Sequence, residues 1–374
     1  MTDTDRDLLP EGLEDQLPQE AAASARITRA VMDVLDSHGY DRVNPPLIEF
    51  EKSMAGRMNG VQPRRMFRFV DPASLRTLAL RSDITVQVGR IAATSMAATV
   101  RPLRLCYAGQ VATIKGDGLD PTRERTQLGA ELIGRDSVAA AAEVVRVAVE
   151  ALAAAGARGI SVDFTLPDLV DTLAAGPMPL AADRIDAVRR ELDAKDAGGL
   201  KQAGGEAYVP LLYAAGPFDQ AIERLAAVDA GGALASRIEG LRSIASGVEG
   251  KARLTLDPTE RHGFEYQSWF GFTLYAEGVR GALGRGGTYR IVSGNDAADE
   301  AATGFSLYTD PLIEAGMADP PVRDTLFLPL DHDRDVAARL RAIGWRTLAA
   351  IEPEDDAAAL SCTHVLDQGE PHKI

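Results

Sequence analysis

Gln127 and Glu131 stand four residues apart in the run RTQLGAELIG, and strand spacing puts both side chains on one face. Asp83 and Thr85 stand two apart in LRSDIT, just ahead of an amphipathic run. Carboxylate and amide oxygens accept hydrogen bonds from an amino group, and a carboxylate accepts from an imidazole N–H. Each residue also has an ordinary role. Two polar residues on a strand can line a solvated sheet face, and an acid at the position of Asp83 caps a helix. The other chemistry-bearing types are scattered. The five histidines (His38, His262, His332, His364, His372) form no HExxH or other ligand cluster. His262 reads as a packed strand residue. Cys106 and Cys362 show no CxxC spacing, which argues against a metal site and for a reducing compartment. The glycine-rich run Gly281–Gly287, GALGRGG, matches neither phosphate-cradle pattern and reads as a structural turn.

These residues must be positioned by a chain of 374 residues, 45% hydrophobic and 25% charged, long enough for two or three domains with a sizeable core. The net charge of −15 and pI near 4.9 oppose a phosphate backbone as partner. The start, MTDTDRD, has no basic region or apolar core of a signal peptide, and no run is long enough to span a bilayer, so a cytoplasmic protein is expected. Helical spacing predicts a helix over 19–38, with Pro18 in its first turn and Gly39 at its stop. A β-rich run, Tyr40–Phe50, contains Pro45 and Pro46 and belongs at a boundary. Met66–Asp71 and Leu75–Arg81 flank a turn and predict a hairpin. A helix over 82–97 opens at Asp83, another runs over 136–155, and a short strand covers 159–166. Residues 166–250 are helical in texture. Strand patterns return at 251–256, 263–276 and 288–293, and a proline-bearing linker covers 317–323. The tail predicts a strand at Thr325–Leu330, a helix at Asp333–Ile343 and a strand at Arg346–Glu352.

The stretch Arg104–Gly134, RLCYAGQVATIKGDGLDPTRERTQLGAELIG, resembles the second signature motif of class II aminoacyl-tRNA synthetases in its histidyl form. In that family the motif is two antiparallel strands joined by a loop that grips ATP. The resemblance runs over roughly residues 8–315 and begins with LLPEGLEDQLPQEA. It implies an α+β fold: an antiparallel sheet flanked by helices, with a helical insertion and a short α/β C-terminal tail. The domains would be 1–165 with 251–316, the insertion 166–250, and the tail 324–374. Ala22–Phe50 resembles the first motif of the family, which implies a dimer interface there. The resemblance assigns a histidine pocket to Asp83, Thr85, Gln127, Glu131 and Tyr266, with Glu131 on the imidazole and Gln127 on the ammonium or carboxylate. Aspartate at 83 is one methylene shorter than the family's glutamate, and Gln267 replaces a second tyrosine.

The same resemblance locates what is missing. The motif 2 arginine, fourteen residues before Gln127, is Thr113, and Lys115 replaces a glutamate. The motif 3 arginine is Pro311, within GFSLYTDPLI. The arginine of the family's RGLDYY signature is His262, within HGFEYQ. Arginine grips phosphate bidentately, and proline offers neither charge nor donor. GGTYR, where the family has GGRYD, has lost its aspartate. Two glycines and an acid in the motif 2 loop, Lys115–Gly118, predict a flexible segment with little to hold RNA. Within this family, one group resembles the chain in profile: regulatory subunits of ATP phosphoribosyltransferase. Membership would imply no aminoacylation and no catalytic residue, cofactor or metal of its own. It would also imply a hetero-octamer with a short catalytic subunit and histidine feedback on the first step of histidine biosynthesis. An active histidyl-tRNA synthetase and a synthetase-like module binding tRNA or protein are the other two readings.

Overall fold

A computed structural model describes residues 8–55, 65–116, 121–261, 267–292, 299–317 and 323–374. Contacts divide the chain into two compact units, residues 1–319 and 320–374.

In the larger unit α1 (Pro18–Ser37) carries proline in its first turn, and Glu20 reaches back to the Leu17 amide at 3.1 Å. Gly39, at φ 77°, turns the chain out of the helix. The proline pair then splits the β-rich run into β1 (Asp41–Arg42) and β2 (Ile48–Phe50), and α2 (Glu51–Ala55) follows. β3 (Arg68–Val70) and β4 (Thr77–Leu80) form the expected hairpin, somewhat shorter than its sequence pattern. With β2 they make a separate three-stranded sheet. α3 covers Thr85–Ala93, not 82–97, because the backbone turns away after Ala93. β5 (Leu103–Ala112) and β6 (Glu124–Ile133) form the long hairpin. α4 (Val138–Ala154) is capped by Ser137, whose hydroxyl accepts from the Ala140 amide. β7 (Ser161–Thr165) follows.

After β7 come α5 (Leu169–Ala174), α6 (Ile185–Asp193), α7 (Ala197–Gln202), a 3-10 helix over Glu206–Tyr213, α8 (Phe218–Val228) and α9 (Ala235–Ser246). A two-residue strand, β8 (Gly216–Pro217), interrupts this helical stretch and joins the edge of the main sheet. β9 (Arg253–Leu256), β10 (Gln267–Tyr275), β11 (Gly284–Ile291), β12 (Glu300–Tyr308) and α10 (Asp310–Glu314) complete the unit. The run Gly281–Gly287 is therefore not a turn alone: it is strand from Gly284 onward, where glycine lets neighbouring backbones approach closely. β12 is a central strand that hydrophobic alternation did not announce.

The nine strands of the main sheet run β1-β5-β6-β12-β11-β10-β7-β9-β8. The sheet is mostly antiparallel, as expected, but β1 pairs parallel with β5 and β7 parallel with β9. One face carries Cys106, Leu128, Ala130, Leu132, Phe272 and Phe305, packed with Ile27, Val31 and Leu35 of α1 and Val144, Val145 and Ala148 of α4. On the other face a smaller apolar cluster joins Val86 and Val88 of α3 to Leu105, Ile133, Ala302 and Ile291. Polar side chains fill the space beside it.

The smaller unit is a four-stranded sheet, ordered β14-β13-β15-β16, with α11 (Arg334–Ala342). β13 (Thr325–Leu328) pairs parallel with β14 (Arg346–Ala349), the expected β-α-β. β15 (His364–Asp367) and β16 (Glu370–Lys373) add a hairpin the sequence patterning did not suggest.

Candidate functional site

Strand alternation builds the site on the face of the main sheet opposite α1 and α4. Gln127, Gly129 and Glu131 of β6 point the same way as Gly304 and Ser306 of β12, which pair with Glu131 and Gly129. Tyr107 of β5 pairs with Gly129 from the other side. The glycines are steric requirements here. A Cβ on Gly129 would collide with the Tyr107 hydroxyl, and one on Gly304 would overlap the Glu131 carboxylate.

Four of the five sequence-predicted residues meet in one buried network. The Gln127 amide donates to Asp83 Oδ1 at 2.8 Å and to Ser306 Oγ at 2.8 Å, and Gln127 Oε1 accepts from the Ile84 amide at 2.8 Å. Asp83 Oδ1 also accepts from the Thr85 amide at 2.9 Å, but it stands one residue ahead of the N-cap, Ile84, so it turns the chain into α3 without capping the helix. The Thr85 hydroxyl lies 2.9 Å from the Tyr107 hydroxyl, which donates to Glu131 Oε1 at 3.0 Å and lies 3.0 Å from Ser306 Oγ. The Tyr289 hydroxyl donates to Glu131 Oε2 at 2.7 Å. The fifth residue, Tyr266, lies outside the described residues, as does His262. Tyr107, Tyr289 and Ser306 were not among the sequence candidates. Tyr107 alternates in phase with Leu105 and Gly109, and Tyr289 sits in the GGTYR run. Ser306 gave no signal of its own.

Glu131 is 1% exposed, and burial pushes its carboxyl up to about 8 against the bonds from its tyrosine neighbours. Burial and the neighbouring Glu131 raise both tyrosines well above their usual range. The network thus holds a carboxyl that is protonated near neutrality yet beside donors able to stabilise its anion. An arriving imidazole could take that proton and leave an ion pair in a dry site.

The Glu131 shift has a consequence for stability. Between pH 4.5 and about 8 the folded chain keeps a proton that the unfolded chain has released. Unfolding free energy therefore falls as pH rises through that window, by about 1.4 kcal/mol per pH unit, and levels off above it. Asp310 and Glu260, pushed up by burial to about 6 and about 7, act in the same direction. Urea unfolding across the window should show a shallower decline in Glu131→Gln than in the parent. Parallel curves would mean that Glu131 keeps an ordinary acidity.

The positions of the family's phosphate-gripping arginines look different. The Thr113 hydroxyl donates to the Lys115 carbonyl at 3.0 Å. Pro311 lies in the first turn of α10, where proline suits a helix start. Two nearby guanidinium groups serve the backbone: Arg81 donates to the Pro45 and Gln110 carbonyls at 2.9 and 2.6 Å, and Arg123 to Glu11 at 3.0 Å. Among the described residues, no group of three or more histidine, cysteine or acidic side chains is arranged to hold a metal. Nor is any helix among them long and apolar enough to cross a membrane.

Comparison with known proteins agrees with this layout. The histidyl-tRNA synthetase family profile matches residues 12–312. The solved structure titled an ATP phosphoribosyltransferase regulatory subunit/histidyl-tRNA synthetase from Bacillus halodurans superposes with TM-score 0.82 at 23% identity, covering 95% of this chain and 96% of that one. A histidyl-tRNA synthetase from Nostoc superposes with TM-score 0.78 at 16% identity, covering 96% and 91%. Those two show the fold. The ATP phosphoribosyltransferase regulatory subunit of Rhodospirillum centenum is 42% identical over 98% of this chain and 96% of its own length. That of Gluconobacter oxydans is 37% identical over 97% and 96%. With a histidyl-tRNA synthetase fold and full-length relatedness of this degree, the chain belongs to the ATP phosphoribosyltransferase regulatory subunit family.

Proposed function

We propose that this chain is the non-catalytic, regulatory half of an ATP phosphoribosyltransferase. It binds a short catalytic chain, switches it on, and makes it sensitive to histidine in the first step of histidine biosynthesis. The observation that carries this reading is full-length identity of 42% to a regulatory subunit, combined with Thr113 and Pro311 where a synthetase needs arginines. A chain without catalytic groups can raise a rate only by binding its partner's active state more tightly than the inactive one. Histidine would lower the rate by favouring the other state. The buried network of Asp83, Thr85, Gln127 and Glu131 supplies the acceptors that an ammonium and an imidazole need, and Tyr266 joins the pocket by family resemblance.

Self-association as a dimer belongs to the same proposal, through Ala22–Phe50 and the small sheet beside it. Ile48 pairs with Leu80, and Phe50 with Leu78, which in turn pairs with Phe69, so one face of that sheet is apolar. Ile48 and Phe69 are exposed there. Two such dimers combined with four catalytic chains would make up the hetero-octamer. No cofactor, nucleic acid or membrane has a place in this reading.

Mixing the purified chain with the short catalytic chain tests it. Neither chain alone should make appreciable phosphoribosyl-ATP. The mixture should make it, histidine should inhibit it, and light scattering should report a hetero-octamer. The network also leaves room for a second reading, an active histidyl-tRNA synthetase. ATP–pyrophosphate exchange with histidine separates the two: this chain should show none above blank. Measurable exchange, or a mixture that stays silent, would overturn the regulatory reading.

A further inference from the structure

Arg285 sits on β11 in the middle of the site face. A continuous row of directly opposed residues crosses it: Asp163, Thr273, Arg285, Ser306 and Gly129. Opposed residues share a face, so Arg285 lies on the same side as Ser306, which already touches Gln127 and Tyr107. Its two directly opposed neighbours, Thr273 and Ser306, are uncharged, and its nearest charged company is Asp163 and Glu260, which with Arg285 act on the Tyr275 hydroxyl. Asp163 is two strands away, and its carboxylate accepts from the Thr255 hydroxyl. Arg285 Nε is buried and has no hydrogen-bond partner among the described residues. A buried donor left without a partner keeps its desolvation cost, which calls for a compensating use.

The next row supplies space. Gly271, Gly287 and Gly304 are opposed in turn and lead to Glu131. The Glu131 carboxylate already lies over Gly304, so it is the side-chain-free Gly287 that separates it from the row of Arg285. β11 and β6 are separated by one strand, and the two residues are offset by two positions along it, so their Cα atoms stand about 12 Å apart. Two side chains reaching inward over that distance bracket a molecule the size of an amino acid.

Asp83, Gln127 and Glu131 provide acceptors for an ammonium and for a ring N–H. The carboxylate of the same ligand, held near buried Glu131 and half-buried Asp83, needs a cation. A guanidinium is suited to this because its planar fork meets both oxygens at once. We infer that Arg285 receives the α-carboxylate of the amino acid whose ring lies at Glu131, so that the pocket selects an intact amino acid over its decarboxylated amine. This inference rests on the histidine-pocket reading given above.

Calorimetry with the full chain tests it, using L-histidine, histamine and inorganic pyrophosphate as probes. The parent should bind histidine at least tenfold more tightly than histamine. Arg285→Ala should weaken histidine tenfold to a hundredfold and leave histamine unchanged, and this unchanged binding also shows that the variant is folded. Arg285→Lys, which keeps the charge but not the fork, should fall between. Equal loss for both amines, or no loss of histidine, would overturn the role of Arg285 while leaving the pocket standing. Pyrophosphate binding that disappears in Arg285→Ala would assign the guanidinium to a phosphate ligand instead. A parent chain that binds no histidine would sink the pocket and this inference together.

Discussion

Glu131→Ala is expected to raise the histidine concentration for half-maximal inhibition of the reconstituted enzyme by tenfold to a hundredfold, with assembly unchanged. In the proposed pocket the carboxyl accepts from the ligand's ring N–H, and losing it would leave that donor unpaired at a cost of roughly 1–3 kcal/mol, which converts to this range. The variant also strips the Tyr107 and Tyr289 hydroxyls of a shared partner, at 3.0 and 2.7 Å in the parent. Gln127→Ala should move inhibition in the same direction, because Gln127 bridges Asp83 and Ser306. Inhibition curves measured beside light scattering decide the matter. If both variants assemble and are inhibited like the parent, histidine acts elsewhere and the network is structural.

Phe164→Ala should lower unfolding free energy by about 3–5 kcal/mol, a large part of the 5–15 kcal/mol that holds a domain together. Phe164 is fully buried on β7. Its ring meets Phe218 of α8 edge-on at 5.7 Å and Phe270 of β10 at 5.8 Å. Truncation therefore opens a cavity where the helical insertion meets the sheet. Phe164→Leu, which fills most of that volume, should lose less than half as much. Urea unfolding measures both. A loss under about 1 kcal/mol for the alanine variant would mean that the insertion does not depend on this contact.

Much of the architecture was legible before any coordinates, wherever local chemistry and tertiary demand agree. α1 begins at Pro18 and ends beside Gly39 because proline suits a first turn and glycine adopts positive φ. Gln127 and Glu131 share a face because the side-chain period of a strand is two. Asp83 meets Gln127, and Thr85 meets Tyr107, because the start of α3 comes down onto the face that carries them. The missing arginines were equally plain, since a threonine or a proline cannot supply a guanidinium whatever surrounds it.

What stayed hidden depends on neighbours far away in sequence. β12, EAATGFSLY, has alanines near its start and does not alternate apolar with polar, and the start of β11, GRGG, is glycine-rich with little strand preference of its own. They are strands because each is paired on both sides at the centre of a nine-stranded sheet. Ser306 and Arg285 lie on these two strands. A lone serine meets Gln127 only because the sheet places it there, and the role proposed for a lone arginine rests on its standing one strand beyond that serine. Burial then sets the acidity of Glu131, and burial is a property of the packed chain that residue identity cannot carry. Residue types and their periods thus set which chemistry was available, while long-range strand pairing decided which groups meet and in how dry a place.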